Sequence, residues 1–351
     1  MDRIELAPGY SISRVIKGSW QLAGGHGAIE KAAALRDMRT YVEAGITTFD
    51  CADIYTGVET LIGRFLQANQ RPIRSGELSP VQIHTKCVPD LDALASLREG
   101  SITAIVDRSL RRLGVERLDL VQLHWWNFEI PGYIDAAGWL EKLVRVGKVR
   151  HVGVTNFDAA HLREILDTGI SITSNQVQYS ALDRRPEGEM QELCQQRGLS
   201  LLCYGTVAGG LLSDRYRGAP ELAAPYETRS LTKYRLIVDE FGGWGMYQRL
   251  LDVLASIAGK HNVSSAMVAS RYVLQQPSVA AAIIGVRNDR HLADAIGLSR
   301  FVLDADDLEE IASVVVGAPG PAGPVYGLER VPGGAHAAIM KYNLNREDPE
   351  H

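Results

Sequence analysis

The feature that most constrains the fold is an alternation of short apolar runs with longer helical segments, repeated along most of the chain. The apolar runs are rich in aliphatic and β-branched residues and predict eight strands, at residues 14–18, 46–50, 81–86, 118–124, 149–155, 172–176, 199–204 and 279–285. Most intervals between them have the period of an amphipathic helix; Ile102, Ile105, Val106 and Leu113, for example, fall on one helical face. Strands that are joined through helices pair in parallel.

Eight successive βα units predict a closed (β/α)8 barrel, or TIM barrel, of the α/β class. Helices are expected at residues 28–44, 140–146 and 264–275, each before a strand. A doubly wound open sheet is the alternative fold, but GGHG at residues 24–27 lacks the GxGxxG spacing that such a sheet usually carries after its first strand. P-loop, GxSxG and HExxH motifs are also missing from the sequence.

Segments at both ends add to the predicted barrel. Ile4–Leu6 and Tyr10–Ile12 flank a Pro-Gly pair, so residues 1–13 are expected to form a hairpin that plugs the lower end of the barrel. A polar stretch at 212–245 and a Gly/Pro-rich tail at 317–334 are expected to be lids or packing straps, the tail following a helix with Asp304 as N-cap. With no linker visible, residues 1–351 are expected to form one domain, including a C-terminal loop and tail at 317–351.

Composition excludes several kinds of partner. The chain is 46% hydrophobic with a net charge of −5, so it has no basic surplus for nucleic acid or an anionic membrane surface. Its four cysteines have no metal-ligand spacing, which predicts no metal site and a reducing compartment. The N-terminal segment is interrupted by charges, and no run approaches the roughly 18 apolar residues of a membrane span. We therefore expect a cytoplasmic protein.

Ionisable residues stand at the ends of three successive predicted strands. Asp50 ends the second strand, Lys86 the third and His124 the fourth, and Tyr55 follows Asp50 by five residues. In a (β/α)8 barrel the carboxyl ends of the strands share one rim, and that rim holds the active site. Each residue alone has an ordinary explanation as a cap, a solvated charge or a core histidine. Together they predict a site for proton transfer.

The expected chemistry centres on Tyr55, because a tyrosine with an ordinary pKa of about 10 is a poor acid at neutral pH. The ammonium of Lys86 is expected to lower that pKa, and Asp50 is expected to keep the lysine charged despite burial. His124 is expected to donate a hydrogen bond to the substrate oxygen. These roles predict a general acid that faces a carbonyl group.

In order and context these four residues match the catalytic tetrad of the aldo-keto reductases, and the sequence resembles that family from about Val15 to Ile296. Further matches are VGVTNF at 152–157, NQVQYS at 175–180 and CYGTVAGGLL at 203–212. The resemblance implies an oxidoreductase that reduces an aldehyde or ketone with hydride from NADPH, and with NADH as the other cofactor to be tested.

The resemblance also implies a set of cofactor ligands. Thr155, Asn156 and Gln176 would bind the nicotinamide carboxamide, and Tyr204 would stack on the ring. The backbone from Gly205 to Leu211 would approach the pyrophosphate, and the family's adenosine 2′-phosphate site would fall after the eighth strand. The residues concerned in these two regions are Gly205, Thr206, Gly209, Leu211, Gly285, Arg287, His291 and Asp294.

The adenosine region departs from the family pattern. Gly285 stands where many members carry a lysine, and Asp294-Ala295 stands where a Glu-Asn pair often meets adenine. The expected preference for NADPH therefore depends mainly on Arg287, whose guanidinium near a helix start suits a phosphate.

On the substrate side, Trp20 and Trp125 are expected to be apolar walls beside the nicotinamide, and Trp126 is a further candidate. Such a pocket suits aldehydes and ketones without naming one. Three alternatives remain open: an NAD(P)+-dependent sugar or alcohol dehydrogenase that uses the same site, a redox-sensing regulatory subunit, and an unrelated hydrolase barrel. The sequence indicates no oligomeric state.

Overall fold

The computed structural model describes residues 1–24, 29–285 and 291–345. Its ten strands within those ranges are β1 (Arg3–Ala7), β2 (Tyr10–Ser13), β3 (Val15–Gly18), β4 (Thr48–Asp50), β5 (Gln82–Cys87), β6 (Leu118–His124), β7 (Val149–Thr155), β8 (Ser174–Gln178), β9 (Ser200–Tyr204) and β10 (Val279–Gly285). Strands β3 to β10 close a parallel barrel in which β10 pairs with both β3 and β9. The predicted (β/α)8 fold is confirmed.

Helices surround the barrel and extend the chain beyond it. In chain order they are α1 (Lys31–Glu43), α2 (Val58–Ala68), α3 (Gln70–Ser75), α4 (Glu99–Leu113), α5 (Tyr133–Arg145), α6 (Ala159–Asp167), α7 (Glu189–Arg197), α8 (Arg229–Phe241), α9 (Gly243–His261), α10 (Ser265–Leu274), α11 (Leu292–Gly297), α12 (Ala305–Val315) and α13 (Ala335–Ala338). Short 3-10 helices occur at Trp20–Leu22, Leu91–Ser96, Ala208–Gly210, Asp214–Tyr216 and Leu328–Arg330.

Parallel register brings the carboxyl ends of the strands to one rim. Gly18 pairs with Asp50, His124 pairs with Thr155, and Thr155 pairs with Gln176. Helices cover the outer face of the sheet, so β6 is buried along most of its length. Residues that end different strands therefore meet above the barrel core.

The N-terminal hairpin of β1 and β2 is antiparallel and packs on the opposite end of the barrel, as predicted. Tyr10 is buried, and its hydroxyl group lies 2.9 Å from Nε2 of His84. Ile12 and Ile16 are completely buried in the same cluster. The hairpin thus removes the lower end of the barrel from water.

The polar stretch predicted as a lid at 212–245 contains regular structure, since helix α8 occupies most of its second half. Thr228 caps α8 by accepting a hydrogen bond from the Leu231 N–H group. Tyr234, Ile237 and Phe241 bury one side of the helix. The polar residues that suggested a loop form the outer face of an amphipathic helix. Similarly, α5 begins at Tyr133, earlier than the helix predicted at 140–146.

After α12, whose N-cap is the predicted Asp304, residues 317–345 run back over the carboxyl ends of the barrel strands. We call this segment the C-terminal strap. Arg330 anchors it by donating from Nη2 to the carbonyl oxygens of Trp125 (2.8 Å) and Asn156 (3.0 Å). Near its end, Asn345 donates to the carbonyl oxygen of Val88 at 2.8 Å. The strap therefore covers the rim to which the sequence assigned the site.

None of the described helices is long and apolar enough to cross a membrane. All four cysteines are buried and unpaired.

Candidate active site

A buried ion pair lies at the centre of the rim. Nζ of Lys86 donates to Oδ2 of Asp50 at 2.6 Å and to the carbonyl oxygen of Cys51 at 2.9 Å. The same nitrogen lies 5.1 Å from the centre of the Tyr55 ring. Both charged side chains are less than a tenth exposed. The structure thus brings together three of the four predicted catalytic residues around one lysine ammonium.

Two glutamines hold the other oxygen of Asp50. Gln176 donates from Nε2 to Oδ1 at 2.6 Å, and Gln122 donates to the same atom at 3.2 Å. Gln176 also donates to Oε1 of Gln122 at 3.0 Å. Gln176 was expected to bind a nicotinamide carboxamide, yet its amide nitrogen is occupied by Asp50. Gln122 was not predicted, although an amide inside the buried strand β6 was a usable signal.

The electrostatics of the ion pair favour a charged lysine. Burial is the largest single influence on Lys86 and lowers its pKa, but the charge of Asp50, the hydrogen bond to Asp50 and the neighbouring Tyr55 together outweigh burial and raise that pKa above its ordinary value of 10.5. For Tyr55 the balance is reversed: burial raises the pKa above 10.0, and the Lys86 ammonium offsets only part of that increase. Lys86 lowers the pKa of Tyr55, as predicted, but the net pKa of Tyr55 is raised, because burial is the larger cause. Tyr55 is therefore a neutral phenol at pH 7.

His124 is neutral as well. Burial, followed by the positive charge of Arg330, lowers the pKa of His124 to about 3. Its Nδ1 lies 3.2 Å from the carbonyl oxygen of Thr155, which can only accept, so Nδ1 carries the proton. Nε2 is buried and has no hydrogen-bond partner among the described residues. We expected His124 to donate to a substrate; instead its one ring proton is engaged by Thr155, and Nε2 presents a lone pair.

Aromatic rings from three parts of the chain surround the tetrad. Trp20 lies with its ring centre 5.0 Å from that of Tyr55. The ring centre of His124 lies 4.3 Å from that of Trp126 and 5.6 Å from that of Tyr326 in the C-terminal strap, and the His124 ring is nearly perpendicular to both. The Trp126 ring also meets Tyr342 of the strap at 5.1 Å. The aromatic residues of the tail were not predicted here, because nothing local in the sequence shows which loop returns to the rim.

Trp125 does not line this pocket as expected. Its side chain is completely buried, its ring packs near Tyr133, and its indole N–H donates to the carbonyl oxygen of Ile130 at 2.9 Å. Side chains alternate between the faces of extended chain, so of two consecutive tryptophans only one can face His124. The structure gives that position to Trp126.

The predicted nicotinamide ligands other than Gln176 lie next to one another. Asn156 adopts a left-handed backbone conformation with a φ of 61°, and its Oδ1 accepts a hydrogen bond from the Tyr204 hydroxyl at 2.8 Å. Thr155 donates from Oγ1 to the carbonyl oxygen of Gln176 at 3.2 Å. Asn156 and Tyr204 thus present an amide and an aromatic ring side by side, a combination that fits a flat ring with a carboxamide substituent.

The loop after β9 is shaped around Tyr234 of α8. A Cβ atom on Gly205 would lie 2.3 Å from the Tyr234 hydroxyl oxygen, and one on Gly209 would lie 2.7 Å from the Tyr234 ring. Both glycines also have positive φ. Among the other predicted pyrophosphate residues, Thr206 contacts Ser270 through its hydroxyl group (3.0 Å), and Leu211 is completely buried. The small residues therefore allow α8 to pack closely, in addition to any contact with a phosphate.

Of the predicted adenosine ligands, Arg287 lies outside the described residues. Gly285 ends β10, and a Cβ atom there would lie 2.1 Å from the Gln21 amide. His291 is the N-cap residue of α11. Asp294, on α11, accepts a hydrogen bond from Ser264 at 3.3 Å and lines a surface cavity of about 420 Å³.

The structure adds a cluster of charges that the sequence did not reveal. Glu329 of the C-terminal strap is buried and pairs with Arg185 at 2.8 Å, and Arg185 pairs with Asp183 at 2.7 Å. Lys233 of α8 lies 3.9 Å from Glu329 and 5.2 Å from the centre of the Tyr204 ring. These residues come from three distant segments, so their spacing in sequence carried no signal.

Comparison with known proteins identifies the family to which this barrel belongs. The model of the aldo/keto reductase family matches residues 14–316. The chain belongs to the aldo/keto reductase family. The predicted family is thus confirmed, and with it the predicted class of enzyme, an NAD(P)H-dependent oxidoreductase.

Several curated proteins are similar to this aldo/keto reductase. A chloroplastic pyridoxal reductase of Arabidopsis thaliana is 28% identical over 323 residues, covering 87% of this chain and 84% of that protein. An NADH-specific methylglyoxal reductase of Escherichia coli is 28% identical over 225 residues, covering 58% and 66%. Flagellar radial spoke protein 5 of Chlamydomonas reinhardtii is 29% identical over 257 residues. The match spans 63% of this chain but only 48% of the radial spoke protein.

Solved structures share the fold. A glycerol dehydrogenase from Gluconobacter oxydans superposes with a TM-score of 0.75 at 23% identity, covering 92% of this chain and 98% of that one. A thermostable aldo-keto reductase gives a TM-score of 0.70 at 24% identity, covering 90% of this chain and all of the other. At this level of identity the likeness concerns the barrel and not the reaction.

Proposed function

We propose that this aldo/keto reductase reduces an aldehyde or ketone to an alcohol with NADPH, and that Tyr55 supplies the proton. The observation that carries the proposal is the Lys86–Asp50 pair (2.6 Å) beside the Tyr55 ring. A neutral phenol next to a fixed ammonium can give its proton to a developing alkoxide, since the ammonium stabilises the phenolate that is left. The family membership agrees with this reaction class.

Each member of the site has its own role in this reaction. When bound, the nicotinamide cofactor supplies the hydride. Tyr55 donates from its hydroxyl group to the substrate oxygen, and Lys86 holds the negative charge that forms on the phenol. Asp50 keeps Lys86 charged and fixed in position. The free lone pair on Nε2 of His124 accepts a hydrogen bond from the hydroxyl group of the product.

The cofactor would bind along the rim from Tyr204 to α11. Tyr204 and Asn156 fit the nicotinamide and its carboxamide, Thr155 supports them, and the cavity beside Asp294 would receive the adenine end. The choice of NADPH over NADH depends on Arg287 and on the family resemblance. Because the Escherichia coli relative is named as NADH-specific, the assay must include both cofactors.

The reverse reaction is the second candidate, since several relatives are named aryl-alcohol dehydrogenases. Oxidation of an alcohol would require Tyr55 to act as a base. Burial raises the pKa of Tyr55, which favours the protonated phenol and therefore the direction of reduction. The two candidates are compared by measuring the initial rates of carbonyl reduction and of alcohol oxidation at equal saturation with cofactor.

The substrate is proposed to be a flat carbonyl compound. Trp20, Trp126, Tyr326 and Tyr342 offer apolar ring faces and edges around His124 and Tyr55. Aromatic aldehydes and pyridoxal-like rings are suitable first substrates, in agreement with the names of several relatives. We further propose that the hairpin, barrel and strap act as one domain; a cytoplasmic location stays a prediction.

The test replaces Tyr55 with Phe in the full-length protein. We expect kcat for aldehyde reduction to fall by about 100-fold or more, because general acid catalysis contributes about that much. Binding of NADPH, followed by quenching of protein fluorescence, should be retained. Tyr10→Phe is a matched control, because it removes a buried phenol hydroxyl at the opposite end of the barrel. A Tyr55→Phe variant with parental kcat would overturn the assignment of the acid.

A further inference from the structure

A lysine ammonium lies among three tyrosine rings at the rim of the barrel. Nζ of Lys233 is 5.2 Å from the ring centre of Tyr204, 5.6 Å from that of Tyr326 and 5.8 Å from that of Tyr234. Its side chain is 18% exposed. Aromatic faces attract cations, so this arrangement holds the ammonium against Tyr204, the residue expected to stack on the nicotinamide.

The only anion paired with Lys233 in the described part of the chain neutralises it incompletely. Glu329 lies 3.9 Å away but makes a closer pair, at 2.8 Å, with Arg185. Arg330, the next residue of the strap, adds another cation, while Asp183 pairs with Arg185 at 2.7 Å. Asp158 acts on Arg330 as a further anion, so the charges of the wider cluster nearly balance. Lys233 is the cation that remains only partly compensated, because Glu329 lies closer to Arg185 than to the Lys233 ammonium.

The positive charge of Lys233 also acts on the catalytic end of the site. Both Arg330 and Lys233 contribute to the low pKa of His124, after burial as the main cause. Tyr326 joins the two regions, since its ring lies 5.6 Å from His124 and 5.6 Å from the Lys233 ammonium. A ring held between Tyr204 and the tetrad would experience the same field.

The two redox states of a nicotinamide differ in the charge of that ring, which is positive when oxidised and neutral when reduced. We propose that Lys233 makes the site bind the reduced cofactor in preference to the oxidised one, because its ammonium repels a cationic ring at Tyr204. The inference rests on the proposed function, which places the nicotinamide on Tyr204. It assigns to Lys233 the task of expelling the oxidised cofactor after each reduction.

The size of the effect follows from the distances. The Lys233 ammonium is 5.2 Å from the Tyr204 ring centre, so a positive ring stacked on Tyr204 would lie within about 10 Å of it. Like charges at this range repel at the effective dielectric constant of about 20 found near protein surfaces, and Glu329 cancels part of this repulsion. We expect removal of the Lys233 charge to lower the ratio of the Kd for NADP+ to the Kd for NADPH by about tenfold, which corresponds to about 1.4 kcal/mol. The change should come mainly from tighter binding of NADP+.

The experiment measures both dissociation constants by fluorescence titration of the full-length protein, without turnover. Lys233→Met keeps most of the stem and removes the charge. Lys233→Arg keeps the charge and should retain the parental ratio within about twofold. Glu329→Gln is the decisive control, since it breaks the same ion pair but removes the opposite charge. The ratio should fall in Lys233→Met and rise in Glu329→Gln.

The outcomes separate the possible roles. If the ratio of the two dissociation constants shifted in the same direction in Lys233→Met and Glu329→Gln, the ion pair would act only by holding the strap. Equal weakening of NADP+ and NADPH by Lys233→Met would make Lys233 a phosphate ligand. Either result, or an unchanged ratio, overturns the inference and leaves the proposed function standing. A parent protein that binds neither cofactor overturns the proposed function and this inference with it. If Lys233→Met does not fold, Lys233→Gln replaces it.

Discussion

Replacement of Asp50 by Asn tests the ion pair on which the site depends. The substitution keeps the shape of the side chain and an oxygen for Gln176 and Gln122, but removes the negative charge 2.6 Å from Lys86. The lysine is then a buried cation with the carbonyl oxygen of Cys51 as its remaining acceptor. Breaking a buried pair in this way costs about 3–5 kcal/mol of unfolding free energy.

The dependence on pH gives a second signature. In the parent, the pKa of Lys86 is higher in the folded state than in the unfolded chain. The ion pair therefore contributes fully to the free energy of unfolding below pH 10.5, and this contribution is lost only as the pH rises through the pKa of the folded state. In Asp50→Asn, burial lowers the Lys86 pKa instead. The unfolded chain then binds more protons than the folded one, so the unfolding free energy of the variant should increase with pH below 10.5. Its kcat should fall over the same interval, because a neutral amine no longer stabilises the Tyr55 phenolate.

Urea unfolding and kcat are measured between pH 6 and 9 for the parent, Asp50→Asn and a matched control, Asp53→Asn. Asp53 is buried nearby, and burial together with the charge of Glu59 raises its pKa to about 8. Asp53 is mostly protonated at pH 6 to 7, so in that range an amide replaces it with nearly the same shape and charge. We therefore expect Asp53→Asn to lower the free energy of unfolding by less than about 1 kcal/mol. Equal, pH-independent losses in the two variants would refute the argument that the Asp50 charge matters.

Two further predictions follow from buried charges. Because the pKa of His124 is lowered to about 3, the ring stays neutral above about pH 4, and the profile of kcat/KM against pH should contain no step near 6.5; a step that disappears in His124→Asn would contradict this. Arg185→Met removes the cation shared by Asp183 and Glu329, and should lower the unfolding free energy by about 3–5 kcal/mol and increase proteolysis of the strap. A loss in Arg185→Met below about 1 kcal/mol would mean that the strap is held by other contacts.

The barrel could be predicted from the sequence because its signal is local. Each strand is a short apolar run, and most observed strands begin and end within two residues of the predicted bounds. The hairpin and the Asp304 cap depend on neighbouring residues in the same way and were predicted correctly. Helix α8 was missed because half of it faces water, so its sequence resembles a polar loop.

The tetrad could also be anticipated, since parallel strands deliver their carboxyl ends to one rim. Asp50, Lys86 and His124 therefore lie at the same rim whatever surrounds them. Their protonation could not be read from the sequence, because it depends on burial. The net pKa of Tyr55 is raised although Lys86 is adjacent, and the proton of His124 is fixed by the carbonyl oxygen of Thr155.

What the sequence by itself determined is the barrel and the family, together with a candidate tetrad at one rim, because these follow from local patterns repeated along the chain. The tertiary structure alone decided which tryptophan faces His124, and it alone placed Glu329 of the C-terminal strap beside Lys233 and Arg185. Nearly a hundred residues separate Lys233 from Glu329 along the chain. Contacts of that kind depend on where a folded strap returns to the barrel, and the spacing of residues in the sequence does not encode them.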